Sequence, residues 1–335
     1  MLVSICVPVY KAENYIERCA TSLFRQTYSE IEYIFVNDCT PDNSIDILYQ
    51  TINKFPTRRK KIKIFKHEKN LGQAAARNTA LNNCTGEFIL WVDADDYIEI
   101  ETIESLIKEQ AKLNYDIVSF NAIVHYPKYN ELWTQHKVRT PQEACIKIIE
   151  RKEPGSLWLH LVRTNLYRSN NIFFKEGINM GEDYLVSILL HYYARNISYL
   201  DTPFYHYDRR NESAFTYYFS HEKGMQLWNV LNILESFFKD KATCYQTSLQ
   251  KAKIQIISMG LISCGKNPNK TKDYFKFIKT KLSQTNKKYW NTVSLPKQLS
   301  FYIKNIYILS IYIKLSGFIN KYVKIFKNQH TIIDN

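Results

Sequence analysis

The sequence is poor in glycine and proline, with nine of each among 335 residues, which argues against low-complexity linkers and fibrous repeats. Its seven cysteines form no CxxC pair and leave one over. This pattern suits reduced, buried thiols in a cytosolic compartment better than a disulfide framework or a zinc ribbon. No basic region precedes the first apolar run, so we expect no secretory signal. The length suits one large α/β domain, or one such domain with a smaller companion, and the apolar fraction of 45% is enough to bury a sizeable core.

The positive charge is concentrated in the last third of the chain. Residues 1–215 hold 26 Lys and Arg against 27 Asp and Glu, a net charge of −1. Residues 216–335 hold 19 against 5, a net charge of +14. A nearly neutral body with a basic tail predicts attachment to an anionic surface, whereas a uniformly basic chain would favour nucleic acid.

The first 120 residues alternate between short apolar runs and helical patterns of 10–15 residues. This alternation predicts right-handed crossovers and a mostly parallel α/β sheet flanked by helices. We expect residues 121–220 to continue the same domain, and residues 221–335 to form a separate helical, lysine-rich region. The predicted strands are Val3–Val9, 34–36, 62–65, 88–92 and 116–120.

The nucleotide-binding motifs GxGxxG and GxxxxGK[ST] are both absent, so any bound phosphates must be held by metal and side chains. Asp93, Asp95 and Asp96 directly follow the fourth predicted strand, and Asp38 ends the second. Ligands bind beyond the carboxyl ends of parallel strands, where a Mg²⁺ or Mn²⁺ ion would offset the repulsion of these carboxylates. The alternative is that the acids cap a helix over residues 97–112, which accounts for one or two of them but not for Asp38.

Five motifs occur in order at familiar intervals over residues 3–120, and together they closely resemble family 2 glycosyltransferases, which are inverting enzymes with a GT-A fold. A weaker match at Gly181–Asp183 and at residues 205–213 resembles bacterial enzymes of capsule, lipopolysaccharide and exopolysaccharide synthesis. The five motifs are 7–10 with Glu13, Gln26, 36–38, 70–72 with 76–78, and 93–96.

The resemblance implies a role for each matching position. Asp38 would accept a hydrogen bond from the base, expected to be uracil, and Arg77 would approach the nucleotide. Asp95 would bind Mn²⁺ or Mg²⁺ as part of a DXD motif, and Asp183 would be the general base for the acceptor hydroxyl. The residues expected to contact the nucleotide-sugar are Pro8, Val9, Tyr10, Glu13, Asp38, Arg77, Asp93 and Ala94.

Three further assignments follow, and those of Asp183 and His206 have alternatives. Asp183 stands before an apolar helical stripe, so Gly181–Asp183 is either a catalytic segment or a helix start. Arg209 and Arg210 would close over the diphosphate, because arginine holds phosphate oxygens in a bidentate way. His206 is a diphosphate contact, a metal ligand or a packed aromatic residue.

Two departures qualify the resemblance. Lys11 stands where Asn is frequent in the family, and Asn37-Asp38-Cys39 replaces the commoner Asp-Asp-Gly, which puts the donor preference in question. Trp158 and Arg163 resemble an acceptor-side segment, with a core tryptophan as the alternative.

The basic tail combines an apolar stripe and a lysine stripe at helical spacing. Lys304 and Lys314 interrupt it, so it falls short of the roughly 20 apolar residues of a membrane span. We favour an interfacial helix on an anionic membrane over a helix packed on the catalytic domain. No recognisable RNA or DNA module accompanies the charge, so we expect no nucleic-acid partner. The apolar stripe is Ile311, Leu315, Phe318, Tyr322 and Ile325, and the second stripe is Ser310, Lys314, Gly317, Lys321 and Lys324.

These expectations combine into one functional hypothesis. The chain would be a metal-dependent, inverting hexosyl- or N-acetylhexosaminyltransferase that uses a nucleotide-sugar, with UDP favoured. The acceptor would be a glycan or a lipid-linked glycan at the cytoplasmic face of a bacterial membrane. A sugar-phosphate nucleotidyltransferase is the alternative enzyme, disfavoured because residues 8–11 replace its glycine-rich loop. A non-catalytic nucleotide-binding module is the third possibility.

Overall fold

The computed structural model describes residues 1–135, 138, 140–210 and 220–316. The chain divides into two compact units, Met1–Ser213 and Ala214–Asn335. Residues 211–213, at the end of the weaker family match, lie outside the described residues. So does the distal part of the predicted tail stripes, which is Gly317, Phe318, Lys321, Tyr322, Lys324 and Ile325.

The N-terminal unit is built on one nine-stranded mixed sheet with the order β3-β2-β1-β4-β8-β6-β9-β5, and β7 pairs with β6. The strands β3, β2, β1 and β4 run parallel, as does β6 with β9, whereas β5, β7 and β8 pair antiparallel with their neighbours. The strands are β1 Val3–Val9, β2 Ile31–Asn37, β3 Ile62–Lys66, β4 Phe88–Trp91, β5 Tyr97–Ile98, β6 Ile117–His125, β7 Asn130–Trp133, β8 His160–Arg163 and β9 Ile197–Asp208.

Helices cover both faces of this sheet, so that alternate residues of the central strands are buried in two separate cores. Ile5 of β1 packs in one core with Leu23 and Leu106, whereas Cys6 packs in the other with Ala80 and Val186. The α/β architecture predicted from the sequence is therefore confirmed. The helices are α1 Ile16–Phe24, α2 Ser44–Asn53, α3 Gln73–Asn83, α4 Thr102–Leu113, α5 Pro141–Ile149, α6 Thr164–Ser169 and α7 Glu182–Tyr193.

The second half of the sheet differs from a simple continuation of the strand–helix alternation. The predicted strand at 116–120 is present as β6, but the antiparallel β8 lies between it and β4. The two-residue β5 pairs with the far end of β9, through Tyr97 and His206. Both connections join residues distant in the chain, so no local hydrophobic period could have predicted them.

The C-terminal unit is helical in its described part. Glycines allow close packing of its helices, since a Cβ at Gly224 of α8 would overlap the ring of Tyr274 on α10. No described helix is both long and apolar enough to cross a bilayer. The helices are α8 His221–Phe238, α9 Thr243–Lys266, α10 Lys272–Ser283 and α11 Leu295–Ser300, and residues 306–316 are also helical.

Candidate active site

The residues singled out at the strand ends lie along one edge of the sheet. In the parallel register, Val9 of β1 is opposite Asn37 of β2, and Cys6 of β1 is opposite Trp91 of β4. The segments that follow these three strands therefore emerge side by side. The Asp38 amide donates to the Val9 carbonyl at 3.1 Å, which ties the first two segments together.

The segment after β1 exposes the aromatic ring of Tyr10. Val9 is fully buried and Pro8 is half-buried, whereas the Tyr10 side chain is 43% exposed and available to a ligand. The Glu13 carboxylate accepts from the Asn43 amide at 3.2 Å and so ties the start of α2 to this segment. Direct contact of Pro8–Tyr10 and Glu13 with a nucleotide stays a prediction.

The two departures from the family pattern both fall at left-handed backbone positions. Lys11 has φ 52° and Cys39 has φ 53°. Asparagine and glycine occupy such positions with the least strain, which gives a backbone reason for their frequency in the family. The Lys11 amide donates to Thr40 Oγ1 at 2.8 Å, which joins the segment after β1 to the segment after β2.

Asp38 anchors the loop that leads into α3. Its carboxylate is 3% exposed and accepts from the amides of Leu71 and Gly72, both at 2.8 Å. A ring nitrogen of His67 lies 2.7 Å from the same carboxylate. Both oxygens are thus engaged within the chain, and Gly72 has φ 90°, which suits glycine. Asp38 therefore positions this loop, and its contact with a base stays a prediction.

Arg77 of α3 joins two acidic segments that are far apart in the chain. Its side chain is buried and donates to Glu182 Oε1 at 3.0 Å and to Asp93 Oδ1 at 3.3 Å. Gln73 also donates to Asp93 Oδ1, at 3.2 Å. Arginine suits this position because its rigid fork can serve two carboxylates at once. The network thus brings the end of β4 and the start of α7 together.

Three acids in these two segments have raised pKa values. Burial and the neighbouring Asp93 raise the pKa of Asp95 to about 6. Burial and the adjacent Asp183 raise the pKa of Glu182 to about 7. Burial also raises the pKa of Asp183, which lies in the first turn of α7 and accepts from the Tyr184 amide at 2.7 Å. Asp183 lies in the first turn of α7, as the helix-start alternative requires. A chemical role is compatible with this position, because the raised pKa makes the carboxylate a stronger base.

Asp96 is held in hydrogen bonds to β9 and the residue that ends it. It is fully buried and accepts from the Tyr205 hydroxyl at 2.7 Å and from the Asp208 amide at 2.9 Å. The capping alternative is wrong, because α4 begins only at Thr102. Among the described residues, no group of three or more His, Cys, Asp or Glu side chains is arranged to enclose a metal ion.

His206 belongs to an aromatic stack. Its ring lies 4.3 Å from that of Tyr97, and its nitrogens lie 2.7 Å from Glu99 Oε1 and 2.9 Å from His125 Nε2. Burial lowers its pKa. Both nitrogens already have partners within the chain, which supports the packed-aromatic alternative. The metal assignment of His206 stays a prediction without geometric support.

The predicted phosphate clamp is partly occupied by internal partners. Arg210 donates to Asp208 at 2.6 Å, and the guanidinium of Arg209 lies over the Tyr126 ring at 5.4 Å. Arg18 of α1 also donates to Asp208, at 2.6 Å, and reaches the Asp95 carbonyl at 2.7 Å. Its position on an ordinary helix gave no sequence signal for this contact.

Trp158 and Arg163 are held in structural contacts. The ring of Trp158 stacks on Tyr205 at 4.4 Å, and Arg163 pairs with the buried Asp116 at 2.8 Å. The core alternative for Trp158 is thus the one that the geometry supports.

The chain is thus an α/β protein in which several carboxylates lie along one edge of the sheet, after the ends of the parallel strands. Residues 4–178 match the family described as Glycosyl transferase family 2, and the chain belongs to this family.

Relatives of known name point the same way. The chain is 34% identical over 212 residues to the glycosyltransferase EpsH of Bacillus subtilis, which covers 61% of this chain and 60% of EpsH. It is 29% identical over 220 residues to TarS of Staphylococcus aureus, a poly(ribitol-phosphate) beta-N-acetylglucosaminyltransferase, covering 63% of this chain and 36% of TarS. The chain thus spans under two thirds of the length of these relatives.

Solved structures show the same fold. The crystal structure of S. aureus TarS 1-349 in complex with UDP-GlcNAc matches with a TM-score of 0.72 at 22% identity, covering 96% of this chain and 92% of that one. The mannosyltransferase PcManGT from Pyrobaculum calidifontis, in complex with GDP-Man and Mn²⁺, matches with a TM-score of 0.55 at 15% identity, covering 91% and 87%. The predicted GT-A fold is confirmed by this likeness.

Proposed function

We propose that the chain is an inverting, metal-dependent glycosyltransferase. It transfers a sugar from a nucleotide-sugar, with a UDP-sugar favoured, to a glycan acceptor in the synthesis of a bacterial surface polysaccharide. The observation that carries this proposal is the Arg77 bridge between Asp93 and Glu182, because it joins an acid of the proposed DXD motif to the residue next to Asp183, the proposed base. The named activities of EpsH and TarS support the reaction class.

The transfer is a single in-line displacement at the anomeric carbon. The acceptor oxygen forms the new bond to that carbon while the bond to the diphosphate oxygen breaks on the opposite face. Asp183 takes the proton of the acceptor hydroxyl, and its raised pKa suits a base that works near neutral pH. Arg77 keeps Glu182 paired, so that the base stands beside a compensated carboxylate.

The DXD acids fit a divalent cation. Asp93 and Asp95 are near enough for Asp93 to raise the pKa of Asp95, and this mutual repulsion is what a cation offsets. Mg²⁺ and Mn²⁺ are commonly held by one or two carboxylates together with substrate phosphates, so a site without a third protein ligand is suitable. When bound, the ion would neutralise charge on the departing diphosphate. The Mn²⁺ in the PcManGT complex supports this choice of cofactor.

The donor and the acceptor follow from different observations. The UDP-GlcNAc bound to the structurally similar TarS supports a UDP-sugar, with Tyr10 as the stacking surface for the base. The acceptor is a glycan or a lipid-linked glycan, and Arg209 and Arg210 are the proposed diphosphate contacts at the end of β9.

The protein is proposed to work as a peripheral protein on the cytoplasmic face of the plasma membrane, attached through its C-terminal region. Ile311 and Leu315, on the predicted apolar stripe, are 61% and 58% exposed, and Ile308 on the same helical face is 57% exposed. An exposed apolar face in a unit rich in lysine favours an anionic lipid surface.

A donor screen tests the proposal. The full chain is incubated with UDP- and GDP-sugars, with Mn²⁺, with Mg²⁺ or with EDTA, and release of the nucleoside diphosphate is measured. We expect metal-dependent release from one UDP-sugar, and Asp95→Asn to lower it at least about 100-fold. Glu176→Gln, a change of an exposed acid before α7, is the control. Turnover by Asp95→Asn equal to that of the control would contradict the proposal. So would formation of UTP and sugar 1-phosphate from the UDP-sugar when pyrophosphate is added, which indicates a nucleotidyltransferase.

A further inference from the structure

The C-terminal unit contains a basic cleft of about 670 Å³, which we call the lysine cleft. The start of α8, the loop before α10, the first turns of α10 and residues 304–307 form its walls. Its lining includes four lysines and one acid, Asp273. The lysines are Lys270, Lys272, Lys276 and Lys304.

The four lysines of the cleft form no ion pair within the described part of the chain, although Lys272 lies over the Tyr307 ring at 5.8 Å. No described carboxylate lies within 4.0 Å of any of the four ammonium groups, whereas Lys253 outside the cleft pairs with Glu235 at 2.5 Å. Burial, and then repulsion from Lys304, lower the pKa of the nearby Lys279. An anion in the cleft would relieve this repulsion.

The chemistry of the lining suits phosphate. Lysine ammonium groups are point charges on flexible stems and bind phosphate oxygens without a fixed geometry. The wall is also held in place: the Tyr307 hydroxyl donates to Asn269 Oδ1 at 3.3 Å, and Asn305 Oδ1 accepts from the Tyr307 amide at 2.8 Å. A nucleic-acid site would be expected to contain arginines, but the whole unit has 19 lysines and no arginine.

The helix that walls the cleft also carries the exposed apolar residues. Residues 306–316 begin at the cleft with Ile306, which is buried. On the opposite side of this helix, Ile308, Ile311 and Leu315 are each more than half exposed, and we call them the apolar ridge. A soluble phosphate has no apolar part to contact the apolar ridge, whereas a lipid supplies both an anionic head group and acyl chains.

We propose that the lysine cleft binds the phosphate of an anionic phospholipid head group while the apolar ridge enters the acyl boundary. This inference rests on the membrane attachment proposed above and makes it specific. Diffuse attraction would depend on total charge, whereas a cleft depends on the four lysines that line it.

The test compares two charge-matched double variants of the full chain. Lys276→Gln/Lys304→Gln removes two cleft lysines. Lys239→Gln/Lys287→Gln removes two exposed lysines that do not line the cleft. Lys239 follows the far end of the 18-residue α8, which rises about 27 Å from the cleft end. Sedimentation with phosphatidylcholine vesicles, with and without 30% phosphatidylglycerol as a chosen test composition, gives the partition coefficients.

We expect the cleft variant to lose about 10- to 30-fold in partition onto the anionic vesicles and the control about twofold. Soluble glycerol phosphate at equal ionic strength should compete with wild-type binding better than chloride does. Equal losses in the two variants would overturn the proposal. So would thermal stabilisation by glycerol phosphate without vesicle binding, or capture of the chain by RNA that vesicles do not displace. Nucleotide-sugar turnover, measured in parallel, reports separately on the catalytic proposal.

Discussion

The two units of the chain handle charge in opposite ways. In the N-terminal unit, charges near the sheet edge are buried and paired, as in the bridge of Arg77 to Asp93 and Glu182. In the C-terminal unit, the lysines of the cleft have no described acidic partner. Burial with a partner fixes a side chain and shifts proton affinities, which is useful for chemistry. Exposure without a partner leaves charge available to a surface.

Ion pairs between glutamate and lysine at the surface do not change this difference between buried, paired charges and exposed, unpaired lysines. The Lys54–Glu17 pair in the N-terminal unit is more than half exposed on both sides, so its contribution to stability is small. The contrast therefore depends on a few buried groups, and each of them can be changed singly.

The largest effect is expected at Asp183. Asp183→Asn should lower the transfer rate about 10³-fold, because an amide cannot accept the acceptor's proton, while the Kd for the nucleotide-sugar stays within about twofold. Rate and binding are measured by single-turnover transfer and by calorimetry. Glu176→Gln is the matched control. An unchanged transfer rate would show that Asp183 is not the general base of the transfer.

The second effect is on the stability of the N-terminal unit. Arg77→Met leaves Asp93 and Glu182 without their partner and should lower the free energy of unfolding by about 3 kcal/mol. Since the pKa of Glu182 is raised to about 7, the loss should be larger at pH 8, where this carboxylate is charged, than at pH 6. Urea unfolding at both pH values measures it.

A surface arginine supplies the comparison for Arg77. Arg195 pairs with Asp116 but is 72% exposed, and Asp116 keeps Arg163 as a second partner. Arg195→Met should therefore destabilise the chain by less than about 1 kcal/mol. Losses of equal size for the two variants would mean that the buried bridge differs little from a surface pair.

Much of the fold was predictable because its signals are local. The first strand was predicted with its observed bounds, and the four other predicted strands all correspond to observed ones, since buried apolar runs between helical stripes are local patterns. The antiparallel β8 and the short β5 were missed, because their pairing depends on contacts across the sheet rather than on neighbouring residues.

The roles of the candidate site residues stay predictions, and their internal hydrogen bonds were not predictable from the sequence. Motif matching located Asp93, Asp95 and Asp183, yet it gave no sign that Asp96 supports β9 through the Tyr205 hydroxyl. It also missed Arg18, whose contact with Asp208 joins residues 190 positions apart in the sequence. Such hydrogen bonds follow from the packing of elements, which the sequence of one element does not encode.

A third effect concerns pH and two histidines buried in the N-terminal unit. His160 and His191 lie 4.9 Å apart, and burial lowers the pKa of both, that of His191 to about 4. Their pKa values are about 6.5 in the unfolded chain, so below that pH the unfolded chain binds more protons and stability falls. His191 alone should reduce the free energy of unfolding by about 2 kcal/mol between pH 7 and pH 5.

Acids with raised pKa act in the opposite direction over this range, so the histidine effect is isolated by difference. Urea unfolding of wild type and His160→Gln/His191→Gln at pH 7 and pH 5 gives two pH slopes. The wild type should lose at least about 2 kcal/mol more than the variant on acidification. Parallel slopes would show that these histidines do not contribute to acid sensitivity.

The smallest effect is on membrane partition, and it tests the exposed side of the contrast. Ile311→Ser/Leu315→Ser shortens two apolar ridge side chains and should weaken binding to anionic vesicles about tenfold. Leu113→Ser/Leu132→Ser makes the same kind of change at exposed leucines of the N-terminal unit and should leave binding unaltered. Vesicle sedimentation measures both. Equal losses for the two variants would show that exposed apolar residues in either unit contribute alike, and the C-terminal unit would lose its distinct role.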